Sequence, residues 1–423
     1  MNRLPRNTKV YVAMSGGVDS SVTAALLKDQ GYDLTGVYMK NWTKDLPGMR
    51  CPWKEDVADA KRVAVGLGIP FEIFDFQKDY KQKVVDYMID SFKKGLTPNP
   101  DIMCNQEIKF KLFLETALEN GADLIATGHY ASLKSLGALT ARSAKPTTPQ
   151  SSLGSTSSKP PVLTHRIDVY DSLRASVYPS SSPEPIISDT EVGMFMAKDE
   201  AKDQTYFLYR VSQGALKKTL MPIGDYAKSE VRELAKKYKL PTANKKDSVG
   251  ICFVGEVGIK DFLAQYVKTS SGPIVDSEGK TIGQHDGAIF YTIGQRHGLK
   301  VGGGFPYYVC GKDMKTNTVY VTRDLDDERL WSDEIKIIQT HWINLPPKPG
   351  EKYRVRVRHQ GELIDCHVSS LAKNIATLKL EKEVRALAPG QSAVLYSKSL
   401  VLGGGIINLY RKTVVSRHPI LQN

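Results

Sequence analysis

Cysteine is scarce in this chain of 423 residues, which contains only five: Cys51, Cys104, Cys252, Cys310 and Cys366. No two of them form a Cys-X-X-Cys pair, and no cysteine–histidine spacing typical of a zinc site is present. An odd and sparse set of cysteines in so long a chain argues against a disulfide framework and indicates a reducing compartment. The cysteines are therefore better treated as individual thiols than as bridges.

Long hydrophobic runs and a surplus of acid are also missing. No segment approaches the roughly 18 uninterrupted apolar residues of a membrane-spanning helix, so we expect no membrane partner. The 58 Lys and Arg residues outnumber the 46 Asp and Glu residues and give a net charge of +12. A surplus of this size favours a polyanionic partner such as nucleic acid, although solvated surface lysine explains the same number.

The N-terminal segment MNRLPRNTK is basic and contains no acid. This composition is typical of organelle-targeting leaders, although the segment is very short. We expect a mitochondrial protein, with a cytoplasmic location as the alternative.

Strand-like and helix-like segments alternate over the first part of the chain. Short apolar runs such as KVYVAM, residues 9–14, predict buried strands, and segments with helical spacing of apolar residues follow them. This alternation predicts an α/β fold, with a doubly wound parallel sheet covered by helices on both faces. We expect the second helix to end at Gly66 or Gly68, and Asp225 to cap a later helix over residues 227–239.

A change of composition divides the chain. From about residue 135 to 187 it is rich in Ser, Thr and Pro, which predicts a disordered insertion, either regulatory or merely tolerated at the surface. From about residue 257 short strands and glycine turns predict a small central domain, and regular strands near the C-terminus predict a small closed β-barrel. We therefore expect three domains: 1–256, 257–328 and 329–423.

The stretch VAMSGGVDSS, residues 12–21, lacks the lysine of the common nucleotide P-loop. It lies between a strand and a helix, where Gly16 and Gly17 let backbone N–H groups approach a phosphate. Asp19 would repel bare phosphates, so we expect it to hold a bridging Mg²⁺ ion. A plain strand-to-helix turn needs the glycines but not the acid or the hydroxyl donors Ser15, Ser20 and Ser21.

A second stretch, TPNPDIMCNQEIKF, places Asp101 three residues before Cys104 in a loop stiffened by two prolines. A helix that begins just past Cys104 would direct its free N–H groups at the thiol and stabilise the thiolate. Lys109 would add a positive charge. An inert, buried cysteine is the alternative.

A third stretch, KKDSVGICFVGE, residues 245–256, places Cys252 between Gly250 and Gly255. The glycines indicate a mobile or tightly turned loop. A buried strand VGICFV, in which Cys252 only fills the core, explains the same residues.

The loop SGGVDS resembles the PP-loop of the ATP-pyrophosphatase superfamily, whose members cleave ATP between the α- and β-phosphates and adenylate their substrate. Longer motifs in the same order resemble the tRNA-specific 2-thiouridylase family in its bacterial and mitochondrial forms. These motifs are SGGVDSS, GVYMKNW, NPDIMCNQEIKF, ATGHYA, KDQTYFL, KKDSVGICFVGE, YTIGQRHGL and LAPGQSAVLY. The resemblance runs from about Lys9 to Tyr410 and implies a PP-loop, adenine nucleotide alpha hydrolase-like domain at the N-terminus.

The resemblance implies a sulfur transfer that uses two cysteines. Cys104 would be the nucleophile and Cys252 would carry the persulfide, with Asp101 as a general base or orienting group at the target uridine. ATP would adenylate the C2 oxygen, and sulfur would then replace it, either directly or as hydrosulfide released by Cys104. The cycle can leave a Cys104–Cys252 disulfide that must be reduced.

The resemblance also implies two sets of contact residues. Residues matching nucleotide contacts are Ala13, Met14, Ser15, Gly16, Gly17, Val18, Asp19, Ser20, Met39 and Gly128. Residues matching tRNA contacts are Asn99, Pro100, Asp101, His129, Lys202, Asp203, Gln204, Arg358, His359 and Gln391. The expected cofactors are ATP and Mg²⁺, and the expected partners are the tRNAs for Lys, Glu and Gln and a cysteine desulfurase or persulfide relay protein.

Two other functions remain open at this point. Another PP-loop enzyme, such as a tRNA lysidine synthase or a small-metabolite synthetase, would share the loop but would need no cysteine pair. A catalytically inactive tRNA-binding protein would need neither the loop nor the thiols.

Overall fold

The computed structural model describes residues 7–45, 51–136, 191–247, 258–302 and 304–408. Three features singled out from the sequence lie outside these ranges: residues 1–6 of the N-terminal segment, nearly all of the Ser- and Pro-rich insertion, and the segment 248–257 with Cys252. None of the described helices is both long and apolar enough to cross a membrane.

A five-stranded parallel sheet forms the centre of the N-terminal part. Its strands are β1 (Lys9–Ala13), β2 (Asp33–Lys40), β3 (Phe71–Asp75), β4 (Leu124–Ala126) and β7 (Thr219–Leu220), in the order β3-β2-β1-β4-β7. The chain runs outward from β1 to β3 and then returns to the other side of β1, so the strand order reverses between β1 and β4. In open parallel sheets, ligands bind at the carboxyl ends of the strands at such a reversal.

Helices cover both faces of this sheet, as the sequence predicts. The helices of the first face are α1 (Val18–Asp29), α2 (Trp53–Leu67) and α6 (Lys228–Lys237). Those of the second face are α3 (Gln77–Tyr80, then π-helical Lys81–Asp86, then Tyr87–Lys93) and α4 (Pro100–Met103, then π-helical Cys104–Leu112, then Phe113–Glu119). Val10 and Val12 of β1 pack on the first layer, whereas Tyr11 and Ala13 pack on the second. The continuous apolar run of β1 follows from burial on both faces.

Two local predictions are resolved by the structure. Gly68, with a φ of 60°, ends α2 in the left-handed conformation, so Gly68 rather than Gly66 is the stop. The prediction that Asp225 caps α6 is wrong. Glu230 accepts a hydrogen bond from the backbone N–H of Ala227 at 2.6 Å, and Asp225 instead accepts one from the Ser132 hydroxyl.

The central part forms a small sheet of its own. Its strands are β8 (Gly272–Val275), β9 (Thr281–His285), β10 (Tyr308–Asp313) and β11 (Thr318–Thr322), in the order β10-β11-β8-β9. Ile274, Val309, Val319 and Val321 form the core beneath it. Two short helices precede it in the chain, α5 (Gln213–Lys217) and α7 (Ile259–Ala264).

The C-terminal part is a closed antiparallel barrel of six strands, which confirms the predicted fold. The strands are β12 (Trp331–Trp342), β13 (Lys352–Arg356), β14 (Ile364–Ala372), β15 (Ile375–Arg385), β16 (Ser392–Ser397) and β17 (Leu400–Ile407). Pairing of β12 with β17 closes the order β12-β15-β14-β13-β16-β17. A Cβ atom at Gly404 would lie 2.2 Å from the Ala393 carbonyl oxygen, so this close approach of β17 to β16 requires glycine.

The barrel and the N-terminal part share hydrogen-bonded structure. Strands β5 (Ser132–Ser135) and β6 (Val192–Phe195) pair with each other, and Phe195 of β6 is paired with Leu400 of β17. The two parts are therefore joined through a sheet edge next to the carboxyl end of β4.

Candidate functional site

The SGGVDSS loop of residues 15–21, called the phosphate loop below, lies at the carboxyl end of β1, beside the reversal of strand order. Gly16 adopts a φ of 77°, and a Cβ atom there would lie 2.3 Å from the Asp56 carbonyl oxygen of α2. Gly17 is the N-cap of α1 and has no side chain to cap the first N–H groups of the helix. The first turn of α1 can therefore bind an anion through its backbone, as the sequence predicts.

The serine hydroxyls brace this loop internally. Ser20 Oγ donates to the Gly17 carbonyl oxygen at 3.1 Å, and Ser21 Oγ donates to the same oxygen at 2.7 Å. Ser20 Oγ also accepts from the Ser15 backbone N–H at 3.2 Å. The expectation that Ser20 and Ser21 offer hydroxyls to a phosphate is therefore not met in this arrangement, whereas the Ser15 side chain is exposed.

Asp19 is neutralised by a lysine that belongs to none of the sequence motifs. Lys228 Nζ of α6 lies 2.7 and 2.9 Å from the two carboxylate oxygens of Asp19. The Tyr130 hydroxyl donates to Asp19 Oδ1 at 2.9 Å, and Lys228 Nζ also lies 3.0 Å from Asp247 Oδ1. No local signal in the sequence links Lys228 to the loop, because 209 residues separate it from Asp19.

The other residues matched to nucleotide contacts surround the loop. Ala13, Met14 and Val18 are buried at the end of β1 and the start of α1, and Met39 is half-buried near the end of β2. Gly128 follows β4, and a Cβ atom there would lie 2.8 Å from the Ser20 backbone nitrogen. The strand end after β4 therefore packs directly on the phosphate loop.

Cys104 lies in a helix that begins earlier than predicted. Asn99 caps α4, since its side-chain oxygen accepts from the backbone N–H groups of Asp101 and Ile102 at 3.1 and 3.4 Å. The helix starts at Pro100, so Cys104 lies beyond its first turn and is only 4% exposed. The prediction that free N–H groups of a helix starting past Cys104 stabilise its thiolate is wrong, because Asn99 already uses the N-terminal donors.

Polar groups accompany Cys104 on this helix. Burial raises the pKa of the Asp101 carboxyl above its ordinary value, and the positive charge of Lys109 opposes this shift. Cys104 is the first residue of the π-helical stretch, where the Phe113 N–H donates to the Ile108 carbonyl five residues back. Short π-helical stretches are common at functional sites. A carboxyl with a raised pKa is suited to exchanging a proton.

His129 lies between the Cys104 helix and the phosphate loop. Its Nε2 is 3.4 Å from Lys109 Nζ, and its Nδ1 is 2.9 Å from the Thr127 hydroxyl. Burial, followed by the charge of Lys109, lowers the pKa of His129 well below its usual value. Because an ammonium only donates, Nε2 accepts this contact and Nδ1 carries the proton. The neighbour of Gly128 is thus a neutral histidine.

Several residues matched to tRNA contacts have partners within the protein. Asp203 is 1% exposed and accepts from Arg356 at 2.8 Å, and Gln204 accepts from the Tyr130 backbone N–H at 2.9 Å. Gln391 donates to the Thr97 carbonyl at 2.8 Å. These three side chains therefore join parts of the fold in this arrangement, and Asp203 is buried while Gln204 and Gln391 are half-buried.

The remaining matches are more accessible or lie at the barrel. Lys202 Nζ is 3.0 Å from Asp247, and the His359 ring lies 4.3 Å from that of Phe207. The exposed Arg358 donates to the Arg385 carbonyl at 3.0 Å. Asn99 and Pro100 are brought together with Asp101 and Cys104 at the start of α4.

The predicted partner of Cys104 cannot be placed, since Cys252 lies outside the described residues. The segment that leads to it is held by charges: Lys245 contacts Asp56 and Asp59 of α2 at 2.7 and 2.6 Å, and Asp247 accepts from Arg232 at 2.6 Å. Among the described residues, no disulfide joins any two of Cys51, Cys104, Cys310 and Cys366. The disulfide stays a prediction.

Three family models match the chain in succession. The first, described as the tRNA methyl transferase HUP domain, matches residues 8–152 and 170–256. The second, the tRNA methyl transferase PRC-barrel domain, matches residues 260–323, and the third, the aminomethyltransferase beta-barrel domain, matches residues 332–407. The matches cover the phosphate loop, the Cys104 helix and the barrel.

Curated proteins are similar over nearly the whole chain. The tRNA-specific 2-thiouridylase MnmA of Bacillus subtilis (strain 168) is 40% identical over 411 residues, which are 96% of this chain and 97% of that protein. The protein of the same name from Geobacillus thermodenitrificans (strain NG80-2) is 39% identical over 96% of each chain. A solved NMN synthetase from Francisella tularensis is 14% identical and covers 58% of this chain and 67% of that one, with a TM-score of 0.28.

Proposed function

The chain belongs to the tRNA-specific 2-thiouridylase family, and from this premise we propose that it is an ATP-dependent tRNA uridine 2-sulfurtransferase. The reaction adenylates the C2 oxygen of the wobble uridine and replaces that oxygen with sulfur. The products are 2-thiouridine, AMP and pyrophosphate.

One observation in the structure carries this proposal: the phosphate loop and the Cys104 helix meet at a single strand end. Gly128 packs on the backbone of Asp19 and Ser20, and the next residue, His129, contacts Lys109 of the Cys104 helix. A nucleotide in the loop and a base beside Cys104 would be adjacent across this strand end. Adenylation and sulfur transfer at one uridine require such adjacency, because the adenylated base is attacked where it forms.

The first step uses the phosphate loop. The uridine C2 oxygen attacks the α-phosphorus of ATP, and the bond to the β-phosphate breaks to release pyrophosphate. The uncapped N–H groups of α1 bind the negative charge. The Asp101 side chain orients the base and, as the general base, accepts the N3 proton that uridine loses when its C2 oxygen is adenylated.

The second step uses sulfur. In the direct route, the terminal sulfur of a Cys252 persulfide attacks C2 and AMP leaves. The Cys104 thiolate then attacks the inner sulfur, so the S–S bond breaks, the outer sulfur stays on C2 and a Cys104–Cys252 disulfide forms. In the other route, the Cys104 thiolate attacks the inner sulfur of the persulfide. A Cys104–Cys252 disulfide forms and the released hydrosulfide attacks C2, so a thiol reductant must restore both cysteines before the next turnover.

We also propose that Asp19 holds a Mg²⁺ ion. The carboxylate of Asp19 is the hard oxygen ligand that Mg²⁺ prefers and its side chain is 32% exposed, so the residue fits the ion once Lys228 is displaced from it. Bound to ATP, the ion would supply positive charge to the phosphates.

The finer identities rest on the family pattern and on charge. We propose the tRNAs for Lys, Glu and Gln as substrates, and a cysteine desulfurase or a persulfide relay protein as the sulfur donor. The net charge of +12 supports a nucleic-acid substrate. The resemblance to the mitochondrial form of the family and the Ser- and Pro-rich insertion support a mitochondrial location, with the cytoplasm as the alternative.

Reconstitution with tRNA, ATP, a cysteine desulfurase and cysteine tests the function. The wild type should form 2-thiouridine, detected by mass spectrometry of tRNA nucleosides, and release pyrophosphate only with tRNA present. Cys252→Ser should form none while still binding ATP, with Cys310→Ser, a buried thiol of the central sheet, as the matched control.

The same assay separates the alternatives. Pyrophosphate release that depends on a small metabolite instead of tRNA would indicate another PP-loop enzyme. AMP release that depends on added lysine would indicate a lysidine synthase. No nucleotide chemistry at all would indicate a tRNA-binding protein. Thiolation that persists in Cys252→Ser would contradict the assigned chemistry.

A further inference from the structure

We propose that Thr97 is a positioning residue, which fixes Asp101 of α4 relative to the central sheet and the barrel. The inference rests on the proposed function, because Asp101 acts there on the uridine of a bound tRNA. It also gives a role to two sequence motifs that the site described above leaves unused: YTIGQRHGL, residues 291–299, and LAPGQSAVLY, residues 387–396.

All three polar groups of Thr97 contact other parts of the fold. Its backbone N–H donates to the Pro389 carbonyl of the barrel at 2.8 Å, and its carbonyl accepts from the Gln391 side chain at 2.8 Å. Its hydroxyl lies 3.2 Å from the Thr292 hydroxyl of the central part. Residues 96–99 belong to no helix or strand, so these contacts provide the partners that secondary structure provides elsewhere. Thr97 therefore joins three parts of the chain.

The three parts also pack closely at this point. Gly390 has a φ of 94°, and a Cβ atom there would lie 2.7 Å from the Thr97 backbone nitrogen. Gly95 has a φ of 77°, and a Cβ atom there would lie 2.8 Å from Met314 Cγ of the central part. Glycine suits both positions because of the positive φ and the close approach. The segment before α4 is thus in contact with both the barrel and the central part.

The central part fixes the partner of the Thr97 hydroxyl. The backbone N–H of Thr292 donates to Gln295 Oε1 at 3.0 Å. Lys312 Nζ donates to the carbonyl oxygen of the preceding residue, Tyr291, at 2.7 Å. Thr292 is therefore held by its own part of the fold, and the hydroxyl contact transmits that position to Thr97.

The chain between Thr97 and Asp101 is short and stiff. Pro98 and Pro100 each fix a backbone φ angle and restrict the residue that precedes them. Asn99 lies between the two prolines and caps α4 by accepting from the backbone N–H of Asp101 at 3.1 Å. A displacement of Thr97 would therefore reach Asp101. Misplacing a reacting group by about 1 Å can lower a rate by about 100-fold.

This joint matters because the substrate contacts are divided between parts of the chain. The barrel carries Arg358 and His359, which the resemblance matches to tRNA contacts, whereas Asp101 belongs to the N-terminal part. A uridine of a tRNA bound at the barrel meets Asp101 only if the segment that carries Asp101 keeps a fixed place beside the barrel. Loss of a positioning residue should therefore lower kcat and leave the affinity for tRNA unchanged.

The test measures tRNA-dependent pyrophosphate release and 2-thiouridine formation by the full chain over a range of tRNA concentrations. Gly390→Ala brings a Cβ atom against Thr97 and should lower kcat at least about tenfold, while KM for tRNA and affinity for ATP change by less than about twofold. Gly350→Ala is the matched control, since Gly350 is also a barrel glycine with a positive φ of 84° but has open space around it. It should keep the kcat of the wild type.

A second set of variants tests the hydroxyl contact without added bulk. Thr97→Val keeps the shape of the side chain and should lower kcat several-fold, whereas Thr97→Ser keeps the hydroxyl and should stay within about twofold of the wild type. Thr292→Val should match Thr97→Val. The double variant should be no slower than either single variant, because both changes remove the same contact. These variants keep the inference testable if Gly390→Ala does not fold.

The outcomes are distinguishable. A raised KM for tRNA with unchanged kcat would overturn the inference and make Thr97 a tRNA contact. A lower denaturation midpoint with unchanged kcat, or equal losses of kcat in Gly390→Ala and Gly350→Ala, would overturn it and leave a purely structural joint. Additive losses in the double variant would show that the two hydroxyls do not act together, which also contradicts it. A wild-type chain that releases no pyrophosphate with tRNA would instead overturn the proposed function.

Discussion

At the phosphate loop, charged groups lie at the edge of the sheet and share their partners: Asp19 is 32% exposed, and one ammonium bridges two acids. Where the N-terminal part meets the barrel, Asp203 and Arg356 are almost completely enclosed, with side-chain exposures of 0% and 7%. We call this second region the barrel seam, formed by residues 203–209 against Arg356, Ser392 and Tyr396. The charged groups at the loop can exchange ion partners with little loss of free energy. Those at the seam cannot, because a buried charge without an ion partner is strongly unfavourable.

This difference changes how the KDQTYFL motif is understood. The resemblance assigns Lys202, Asp203 and Gln204 together to tRNA, but only Lys202 lies on the exchangeable network at the loop. Asp203 accepts from the Thr205 hydroxyl at 2.7 Å as well as from Arg356, and Thr205 lies 3.2 Å from the Tyr396 hydroxyl. Neighbouring residues of one motif therefore lie in different surroundings: Lys202 belongs to the charged network at the loop and Asp203 to the joint with the barrel.

The largest effect should follow from breaking the buried pair at the barrel seam. Arg356→Met leaves the carboxylate of Asp203 buried without its ion partner and should lower the free energy of unfolding by about 3–5 kcal/mol. Chemical denaturation monitored by fluorescence measures this loss.

A double variant sharpens the result. Arg356→Met combined with Asp203→Asn removes the uncompensated charge and should recover much of the lost stability. If Arg356→Met instead keeps its stability but loses tRNA affinity in a filter-binding assay, the pair contacts tRNA and the seam interpretation is wrong.

A smaller effect is expected at the loop. Gly16→Ala must adopt a φ of 77° and would bring its Cβ atom to 2.3 Å from the Asp56 carbonyl, so it should cost about 1–3 kcal/mol and reduce affinity for an ATP analogue. Gly31→Ala is the matched control, since Gly31 has a φ of 86° but open space around it. Equal losses in both variants would show that only backbone strain matters and that contact with α2 does not shape the loop.

The contrast between the two regions also explains what the sequence could predict. The phosphate loop consists of contiguous residues, so its glycines and the following helix were identified from the letters alone. The sheet and barrel followed from regular spacing of apolar residues, which burial imposes directly.

Contacts between distant residues were beyond this kind of inference. Lys228 and Asp19 are brought together only by the packing of α6 on α1, and the pair Asp203–Arg356 only by docking of the barrel. The start of α4 was missed for a local reason: the proline-rich TPNPD stretch predicts a loop, but Asn99 followed by Pro100 is also a favourable N-cap and first helical residue.

The buried histidine that contacts Lys109 of the Cys104 helix gives a pH-dependent prediction. In the folded chain the pKa of His129 is far below its ordinary value of 6.5, so the unfolded chain binds more protons at acidic pH. Above about pH 6.5 His129 is neutral in both states and does not affect stability. Below that pH the unfolded chain gains a proton that the folded chain does not, so the free energy of unfolding falls as pH decreases, with a limiting slope of about 1.4 kcal/mol per pH unit.

His129→Gln should flatten this acid dependence in thermal unfolding measured between pH 5 and pH 7. His359 at the barrel seam provides the comparison, since burial and Arg356 also lower its pKa, but the residue is only half-buried. His359→Gln should therefore change the slope less. A slope that is unaffected by His129→Gln would mean that this side chain is protonated in the folded protein.

The smallest effect concerns two tyrosine hydroxyls, one in each region. Tyr130→Phe removes the hydroxyl from Asp19, but Lys228 still contacts both oxygens of that carboxylate, so the loss should be about 1 kcal/mol. Tyr206→Phe removes the donor to the Ser392 carbonyl at 2.9 Å inside the seam, and the buried oxygen then lacks that partner at a cost of about 1–3 kcal/mol. Denaturation midpoints of the two variants measure the difference directly. A greater loss for Tyr130→Phe would reverse the comparison, because it would make the loop, rather than the seam, the region whose polar groups cannot change partners.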